Sequence, residues 1–328
     1  MTGPEKDETR TALEMAARAS LRAPSVFNTQ PWKWRLTGDV LELSSDPARR
    51  LGVTDAEGRL LLLSCGGALH HARLYLAAAG WRADVQRLPE AQRPDLLARI
   101  RIAGRAEPDL EAAELADAIS RRRTDRRAFG DRPVSEETVT RLRRLVEAEG
   151  AYLHVVPDDR VPELAVSVDE AADANYFDPA HRTELTDWTH RPSWTGDGVP
   201  PSTAVQPSLR RVPVRNFLPD GSTGMLAGAD HDEGAAYVII FGTADRPVDL
   251  LRGGEAMSAL LLRATAEGLA TAPISEAVEV AWPRRLLSRL LSGVGEPYLV
   301  VRLGYVEASD VVPPSPRRPP ADVIQVDE

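Results

Sequence analysis

A fifteen-residue pattern occurs twice in this chain, and it limits how the chain can fold. Gly66 to Gly80 reads Gly-x-Ala-Leu-x-x-Ala-x-Leu-x-Leu-x-Ala-x-Gly, and Gly254 to Gly268 follows the same spacing at a constant offset of 188 residues. Both copies are apolar on most faces and end in Gly, as a buried helix does. Each is followed downstream by a strand-like run with an Arg between apolar residues. The repeat predicts two similar halves, each built around a central helix.

The segments around these helices alternate between helical and strand patterns. Residues 7–22 predict a helix that Pro24 ends, and 109–123 an amphipathic one; Ser135-Glu-Glu-Thr is a helix N-cap signature. Strand patterns occur in seven segments, of which the first two form a predicted hairpin: 32–36, 40–44, 96–102, 152–156, 235–242, around Ala272, and 298–305. The predicted fold class is α+β.

One long stretch lacks this regularity. Between residues 173 and 232 the sequence is rich in Pro, Gly, Ser and Thr with scattered aromatic residues. A stretch of this length without periodicity is typical of a functional lid. We therefore predict an N-terminal half over 1–108, a C-terminal half over 109–172 and 233–328, and a lid insertion over 173–232, which we call the lid segment.

Composition and charge limit the kinds of partner and compartment that we expect for this chain. The chain has 328 residues and a net charge of −9, which argues against nucleic acid as a general partner, although Arg-rich islands could each bind one phosphate. The longest apolar run, Leu60 to Leu63, is far shorter than a membrane span. No signal-peptide pattern is found at the N-terminus, and the single cysteine, Cys65, cannot form an internal disulfide. We expect a cytoplasmic protein without a membrane segment.

The most informative motif is Pro24-Ser-Val-Phe-Asn-Thr-Gln-Pro-Trp32, whose hydroxyl and amide groups can read the edge of a flat heterocycle. It resembles the Pro-Ser-x-x-Asn-x-Gln-Pro-Trp segment of FMN-dependent nitroreductases, in the form found in their Acg-like branch. The alternative is a Pro-bounded turn before a pair of core Trp residues. Phe27 stands where that branch usually has His.

Three further segments resemble the same family, in the family's order. Arg122-Arg-Thr-Asp-Arg126 is similar to the motif that holds the FMN phosphate and the pyrimidine edge, with either Arg126 or Arg127 on the pyrimidine side; a solvated basic helix end is the alternative. Ala272-Pro-Ile-Ser resembles the segment that passes flavin N5, with Glu276 at the family's Gly position. Pro314-Ser-Pro-Arg resembles the C-terminal phosphate contact.

The resemblance implies a nitroreductase-like fold with FMN as cofactor, and no metal. The implied cofactor-binding residues are Pro24, Ser25, Asn28, Gln30, Arg122, Arg123, Thr124, Arg126, Pro273, Ile274, Ser275, Ser315 and Arg317. Family members are homodimers with two sites, so two tandem halves imply an intrachain pseudo-dimer. Because each motif occurs in one half only, we expect a monomer with one FMN.

The implied activity is that of an NAD(P)H-dependent oxidoreductase that reduces nitro compounds, quinones or similar flat acceptors. Because the flavin carries the redox chemistry, no catalytic side chain is assigned. An FMN-storage protein whose lid closes over the flavin, with little reductase activity, is the alternative. A third interpretation is an interaction protein that has lost FMN, in which the arginines of the phosphate motifs would have no ligand to bind.

Overall fold

The computed structural model describes residues 3–218, 221, 224–306 and 311–327, and of residues 3–6 only the backbone. Its helices are α1 (Gly3–Ser20), α2 (Arg59–Ala78), α3 (Leu110–Arg121), α4 (Glu136–Ala148), α5 (Val161–Phe177), α6 (Pro179–Thr189), α7 (Pro247–Ala266), α8 (Glu276–Glu279) and α9 (Ala281–Leu290). Its strands are β1 (Trp32–Thr37), β2 (Val40–Ser45), β3 (Trp81–Arg87), β4 (Leu96–Arg105), β5 (Tyr152–Val155), β6 (Ala236–Gly242), β7 (Ala270–Ile274), β8 (Glu296–Gly304) and β9 (Ile324–Asp327). The predicted α+β class is confirmed.

Two sheets share one topology. The first has the strand order β3-β4-β2-β1-β9, and the second has the order β7-β8-β6-β5. Adding four to each strand number of β3-β4-β2-β1 gives the second order, and every pair in both sets is antiparallel. Strand β9 extends the first sheet by pairing in parallel with β1, so the end of the chain completes the sheet formed near its beginning.

The two repeated helices, α2 and α7, cross at the centre of the molecule. A Cβ atom added at Gly66 would lie 2.0 Å from the carbonyl oxygen of Leu251, and one added at Gly254 would lie 2.0 Å from that of Leu63. These two contacts exchange under the offset of 188, since 63 + 188 = 251 and 66 + 188 = 254. The same offset joins His70, whose Nδ1 lies 2.9 Å from Oγ of Ser258. Equivalent positions of the repeat therefore meet each other, as at a two-fold axis.

Two buried clusters flank this crossing. One contains Trp32, Trp34 and the inner faces of α1, α2 and the first sheet. The other lies between the second sheet and α4, α5, α7 and α9. Trp32, which ends the motif, and Trp34 are thus core residues, as the alternation of buried and exposed positions along β1 requires.

The lid segment differs in part from its prediction. It is not irregular throughout, because α5 continues to Phe177 and α6 occupies Pro179–Thr189, with Asp178 accepting a hydrogen bond from the backbone N–H of Ala180. Between α6 and β6, the described residues contain only short 3₁₀ turns and an isolated bridge between Val205 and Met225. The segment carries its own small core, in which Phe27 packs with lid residues that include Trp188 and Phe217.

Candidate cofactor site

The four sequence segments converge on two adjoining cavities. The larger encloses about 890 Å³ of atom-free space, including solvent at its mouth, and the smaller about 380 Å³. Pro24, Ser25, Phe27, Thr124 and Arg126 line both, which joins them into one elongated site. Of the residues implied by the resemblance, all but Gln30 and Arg123 line one cavity or the other.

The motif loop after α1 has an unusual backbone. Phe27, Asn28 and Gln30 have φ values of 47°, 55° and 50°, in the left-handed region that non-Gly residues seldom adopt. Oγ of Ser25 accepts a hydrogen bond from the backbone N–H of Gln30 at 3.0 Å, which closes the loop on itself. A run of such residues is a feature of functional sites, where surrounding contacts hold the strain.

The two amide side chains of this loop bind other parts of the chain. Asn28 donates from Nδ2 to the carbonyls of Gly198 at 3.1 Å and Pro316 at 3.0 Å. Gln30 is almost completely buried; it donates to the carbonyl of Gly196 at 2.8 Å and accepts from the backbone N–H of Arg318 at 3.0 Å. Gln30 therefore ties the lid segment to the C-terminal tail and does not line a cavity.

Two buried arginines dominate the smaller cavity. Arg122 is 6% exposed, and its Nε and Nη1 atoms have no hydrogen-bond partner. Arg317 donates to Oδ1 of Asn28 and to backbone carbonyls, while its Nε has no partner. Within the described residues, neither guanidinium forms an ion pair with a carboxylate. Burial, with a smaller contribution from neighbouring arginines, lowers the pKa of Arg122 to about 10 and that of Arg317 to about 9. This uncompensated positive charge is the property of an anion site.

The rest of the Arg122 motif divides into different roles. Arg123 turns away from the cavities and donates to the carbonyls of Val312 and Ser120. Arg126 lines both cavities and donates to the carbonyl of Thr203 at 2.8 Å. Arg127 forms an ion pair with Asp125 at 2.7 Å. Of the two arginines that the sequence left open, Arg126 is the one at the cavity.

The larger cavity has a mostly apolar wall. Its apolar contributors from α2, α7, β7 and β8 include Leu60, Leu63, Met257, Ala272, Pro273, Ile274 and Leu299. Two arginines there were absent from the sequence prediction. Arg302, fully buried on β8, pairs with Asp232 at 2.7 Å, and Arg215 comes from the lid segment. Arg302 belongs to the strand-like run that follows the second repeat copy, but nothing in that pattern indicated a place in a site, and Arg215 lies outside any motif.

The lid segment lies directly on the site. Val214, Arg215 and Phe217 line the larger cavity, and Gly198, Val199 and Thr203 line the smaller. Arg49 also forms an ion pair with Asp197. In this conformation the segment forms part of the wall of both cavities.

Other kinds of site find no support in the described part of the chain. No group of three or more His, Cys, Asp or Glu side chains there could hold a metal ion. None of the helices described is long and apolar enough to cross a membrane. Cys65 is buried, its Sγ donates to the carbonyl of Pro31 at 3.3 Å, and burial raises the pKa of its thiol, so it is a packing residue.

Known proteins resemble the chain along its whole length. No family model matches the sequence. A Mycobacterium tuberculosis protein named "Putative NAD(P)H nitroreductase Rv3131" is 36% identical over 98% of this chain and 92% of its own, and one named "Putative NAD(P)H nitroreductase acg" is 35% identical over 98% of each. The crystal structure of the FMN-dependent nitroreductase NfnB from Mycobacterium smegmatis in complex with NADPH is 16% identical, covers 66% of this chain and 99% of its own, and superposes with a TM-score of 0.43. On the strength of the two full-length relatives, the chain belongs to the nitroreductase family, beside its Acg-like members.

Proposed function

We propose that this chain binds FMN in the joined cavities and uses it as an NAD(P)H-dependent oxidoreductase. One observation carries the proposal: two buried arginines without an acidic partner in the described residues stand next to a largely apolar cavity. A charged phosphate and a flat ring system within one molecule match these two environments. The names of the full-length relatives support the same activity.

The phosphate group would lie in the smaller cavity. Arg122 and Arg317 would bind it with charge-assisted hydrogen bonds, each worth about 1.5–3 kcal/mol. Ser315 lines the same cavity and could add its hydroxyl group. The unpartnered Nε and Nη1 atoms of Arg122 supply donors that the fold leaves unused.

The ring system would lie in the larger cavity. Pro273, Ile274 and Ser275 form one wall at the end of β7, and Leu63 with Met257 contributes apolar surface from the two central helices. Arg126 stands where the two cavities join, beside Thr124. Bound there, FMN would supply hydride and electron transfer at its isoalloxazine ring; the chain would orient the ring and exclude water. The acceptors we propose are nitro compounds, quinones or other flat molecules.

A second candidate function is FMN storage, and the position of the lid segment favours it. Three lid residues line the ring cavity itself, so a nicotinamide could stack on the flavin only if the lid segment moved. Hydride transfer requires donor and acceptor in close stacked geometry. A closed lid would therefore block NAD(P)H and still retain the flavin.

Anaerobic reduction separates the two candidates. The FMN-loaded protein is mixed with NADH, NADPH or dithionite, and the flavin absorbance is followed, with a nitroaromatic added afterwards. Rapid bleaching by a nicotinamide with turnover of the nitroaromatic supports the reductase. Bleaching by dithionite alone supports storage. A protein that shows no flavin absorbance even after FMN is added would refute both.

We also propose that the chain is a monomeric pseudo-dimer with one FMN. Gly67 and Ser275 are both at the larger cavity. A Cβ on Gly67 would lie 3.8 Å from Cδ of Pro24, which lines this cavity, and Ser275 lines it as well. Their counterparts at the offset of 188 are Glu255 and Arg87, which form a bidentate ion pair at 2.7 and 2.8 Å. The position related to the larger cavity by the pseudo-two-fold axis is thus filled by the side chains of Glu255 and Arg87.

The common topology of the two sheets supports this assembly, and the proposal keeps the predicted boundaries at 108/109 and around the lid segment. Light scattering with flavin quantitation tests it: we expect one FMN on a particle of about the chain mass of 35.7 kDa. An obligate dimer, or two FMN per chain, would contradict it.

The single buried thiol, Cys65, fits a reducing compartment, and we propose that the protein is located in the cytoplasm.

A further inference from the structure

Arg215 connects the lid segment to the wall of the ring cavity. Its side chain is 7% exposed, its Nε lies 3.0 Å from Oε1 of Glu276, and its Nη2 pairs with Oε2 of Glu279. Both carboxylates belong to α8, the short helix that begins directly after Ser275. Oγ of Ser275 in turn donates to Oε1 of Glu279 at 2.7 Å. The lid is thus fastened to the segment that forms the cavity wall.

The same guanidinium lies against aromatic rings that close the cavity. Its carbon Cζ is 4.9 Å from the ring centre of Phe27 and 5.8 Å from that of Phe217. The two rings meet edge to face, with centres 5.6 Å apart. On the other side, Cζ of Arg126 lies 4.5 Å from the ring centre of Phe217. Phe217, a lid residue that lines the cavity, therefore lies beside two guanidinium groups.

The charges explain why this arrangement is stable. Burial by itself lowers the pKa of Arg215, but Glu279 and Glu276 outweigh burial and the pKa is raised. The two carboxylates compensate the charge of this buried cation, although its Nε and Nη1 atoms make no hydrogen bond, and the same cation without them would be costly to keep in place. Opening the lid must separate this cluster or expose it to water.

Phe27 and Glu276 are two positions where the sequence departs from the motifs that it resembles, and Arg215 contacts both. In the sequence they stand 249 residues apart, since 276 − 27 = 249. In the fold, both therefore contact the same residue of the lid segment.

We propose that Arg215 is the latch of the lid segment, and that its ion pairs with Glu276 and Glu279 set the access of nicotinamide and flat acceptors to the ring cavity. This inference rests on the proposed function, because it describes the regulation of the same site. The latch keeps Phe217 in the cavity, and its release lets the ring leave. Arg215 is a positioning residue, with no part in the chemistry itself.

The test compares Arg215→Met, which keeps the apolar stem, with Glu276→Gln, which keeps the size of its side chain but weakens the pair. Arg182→Met, on an exposed face of α6, is the matched control in the lid segment. Each FMN-loaded variant is measured for FMN dissociation rate and for iodide quenching of the bound flavin. We expect both to rise at least about tenfold in Arg215→Met, less in Glu276→Gln, and to stay at the wild-type level in the control.

A second measurement does not need FMN. Hydrogen exchange of the backbone amides of residues 196–217 in the apoprotein reports the opening of the lid directly. Faster exchange in Arg215→Met and Glu276→Gln, with α2 unchanged, supports the latch even if the protein proves not to use FMN. Wild-type exchange in both variants overturns the latch, whether or not FMN binds. If either variant fails to fold by circular dichroism, the other decides.

Discussion

Arg317 donates from Nη1 to Oδ1 of Asn28 at 3.0 Å, across 289 residues of sequence. The contact joins the C-terminal tail to the loop after α1, and Asn28 uses its Nδ2 to hold Gly198 of the lid segment as well. One amide side chain thus fixes the positions of three chain segments around the smaller cavity.

Replacing Asn28 by Ala removes this junction. Loss of its bonds to Gly198, Pro316 and Arg317 should lower the free energy of unfolding by about 1–3 kcal/mol and weaken FMN binding by about tenfold or more. Urea denaturation and FMN titration measure the two effects. Gln325→Ala, whose amide bonds only to Asp327 in the described chain, is the control. Wild-type FMN affinity in Asn28→Ala would show that the junction does not shape the site.

Arg122 should destabilise the folded apoprotein and strengthen the binding of FMN. Because burial lowers its pKa to about 10, Arg122 is still charged near neutral pH, but keeping that charge costs free energy in the folded state. Arg122→Met should therefore raise the free energy of unfolding of the apoprotein by roughly 1–3 kcal/mol and weaken FMN binding at least about tenfold. Arg121→Met, on the exposed end of α3 where Arg121 pairs with Asp117, should change neither. A destabilised apoprotein would mean that the guanidinium is already satisfied.

The helix crossing can be tested by two neighbouring substitutions. A Cβ at Gly66 would lie 2.0 Å from a backbone carbonyl, so Gly66→Ala should cost at least about 3 kcal/mol of unfolding free energy. At Gly67 the nearest atom is the terminal carbon of Met257 at 3.4 Å, and Gly67→Ala should change stability by no more than about 1 kcal/mol. Chemical denaturation measures both. Equal stability of the two variants would rule out the close crossing.

Asp55 should give the stability a specific pH dependence. Its two oxygens accept from the backbone N–H groups of Leu60 and Leu61 at the start of α2, yet burial raises its pKa to about 6. The folded state therefore binds this proton more tightly than the unfolded state, and its contribution is full below about pH 4 and lost as pH rises through about 6.

Relative to Asp55→Asn, the wild type should lose roughly 3 kcal/mol between pH 4 and pH 7. Asp39→Asn, in the exposed turn between β1 and β2, should follow the wild type. Parallel pH profiles for wild type and Asp55→Asn would show that Asp55 titrates normally.

Sequence periodicity identified the elements whose burial is continuous, and missed those defined by a distant partner. The central helices α2 and α7 and the strands β6 and β8 are apolar enough to be predicted directly, although α7 begins at Pro247, earlier than the repeat. Strand β9 has only four residues and is a strand because β1 pairs with it. The helix α6 is polar and has little hydrophobic periodicity, so it was not predicted; it lies in the segment that was predicted to be irregular.

The candidate site divides in the same way. Motif resemblance located the residues that line the cavities, because those motifs are local. It could not show that Gln30 and Arg123 face away, since their partners lie in the lid segment and the tail. Nor could it identify Arg215, whose role depends entirely on contacts made across the fold.

Titration of the apoprotein with FMN, for wild type and for Arg122→Ala and Arg317→Ala, tests the central claim most directly. The wild type should bind FMN saturably at one site per chain, and each variant should bind at least about tenfold more weakly, because each loses a charge-assisted contact to the phosphate. Absence of FMN binding to the wild type, or unchanged affinity in both variants, would contradict the assignment of the joined cavities as a flavin site.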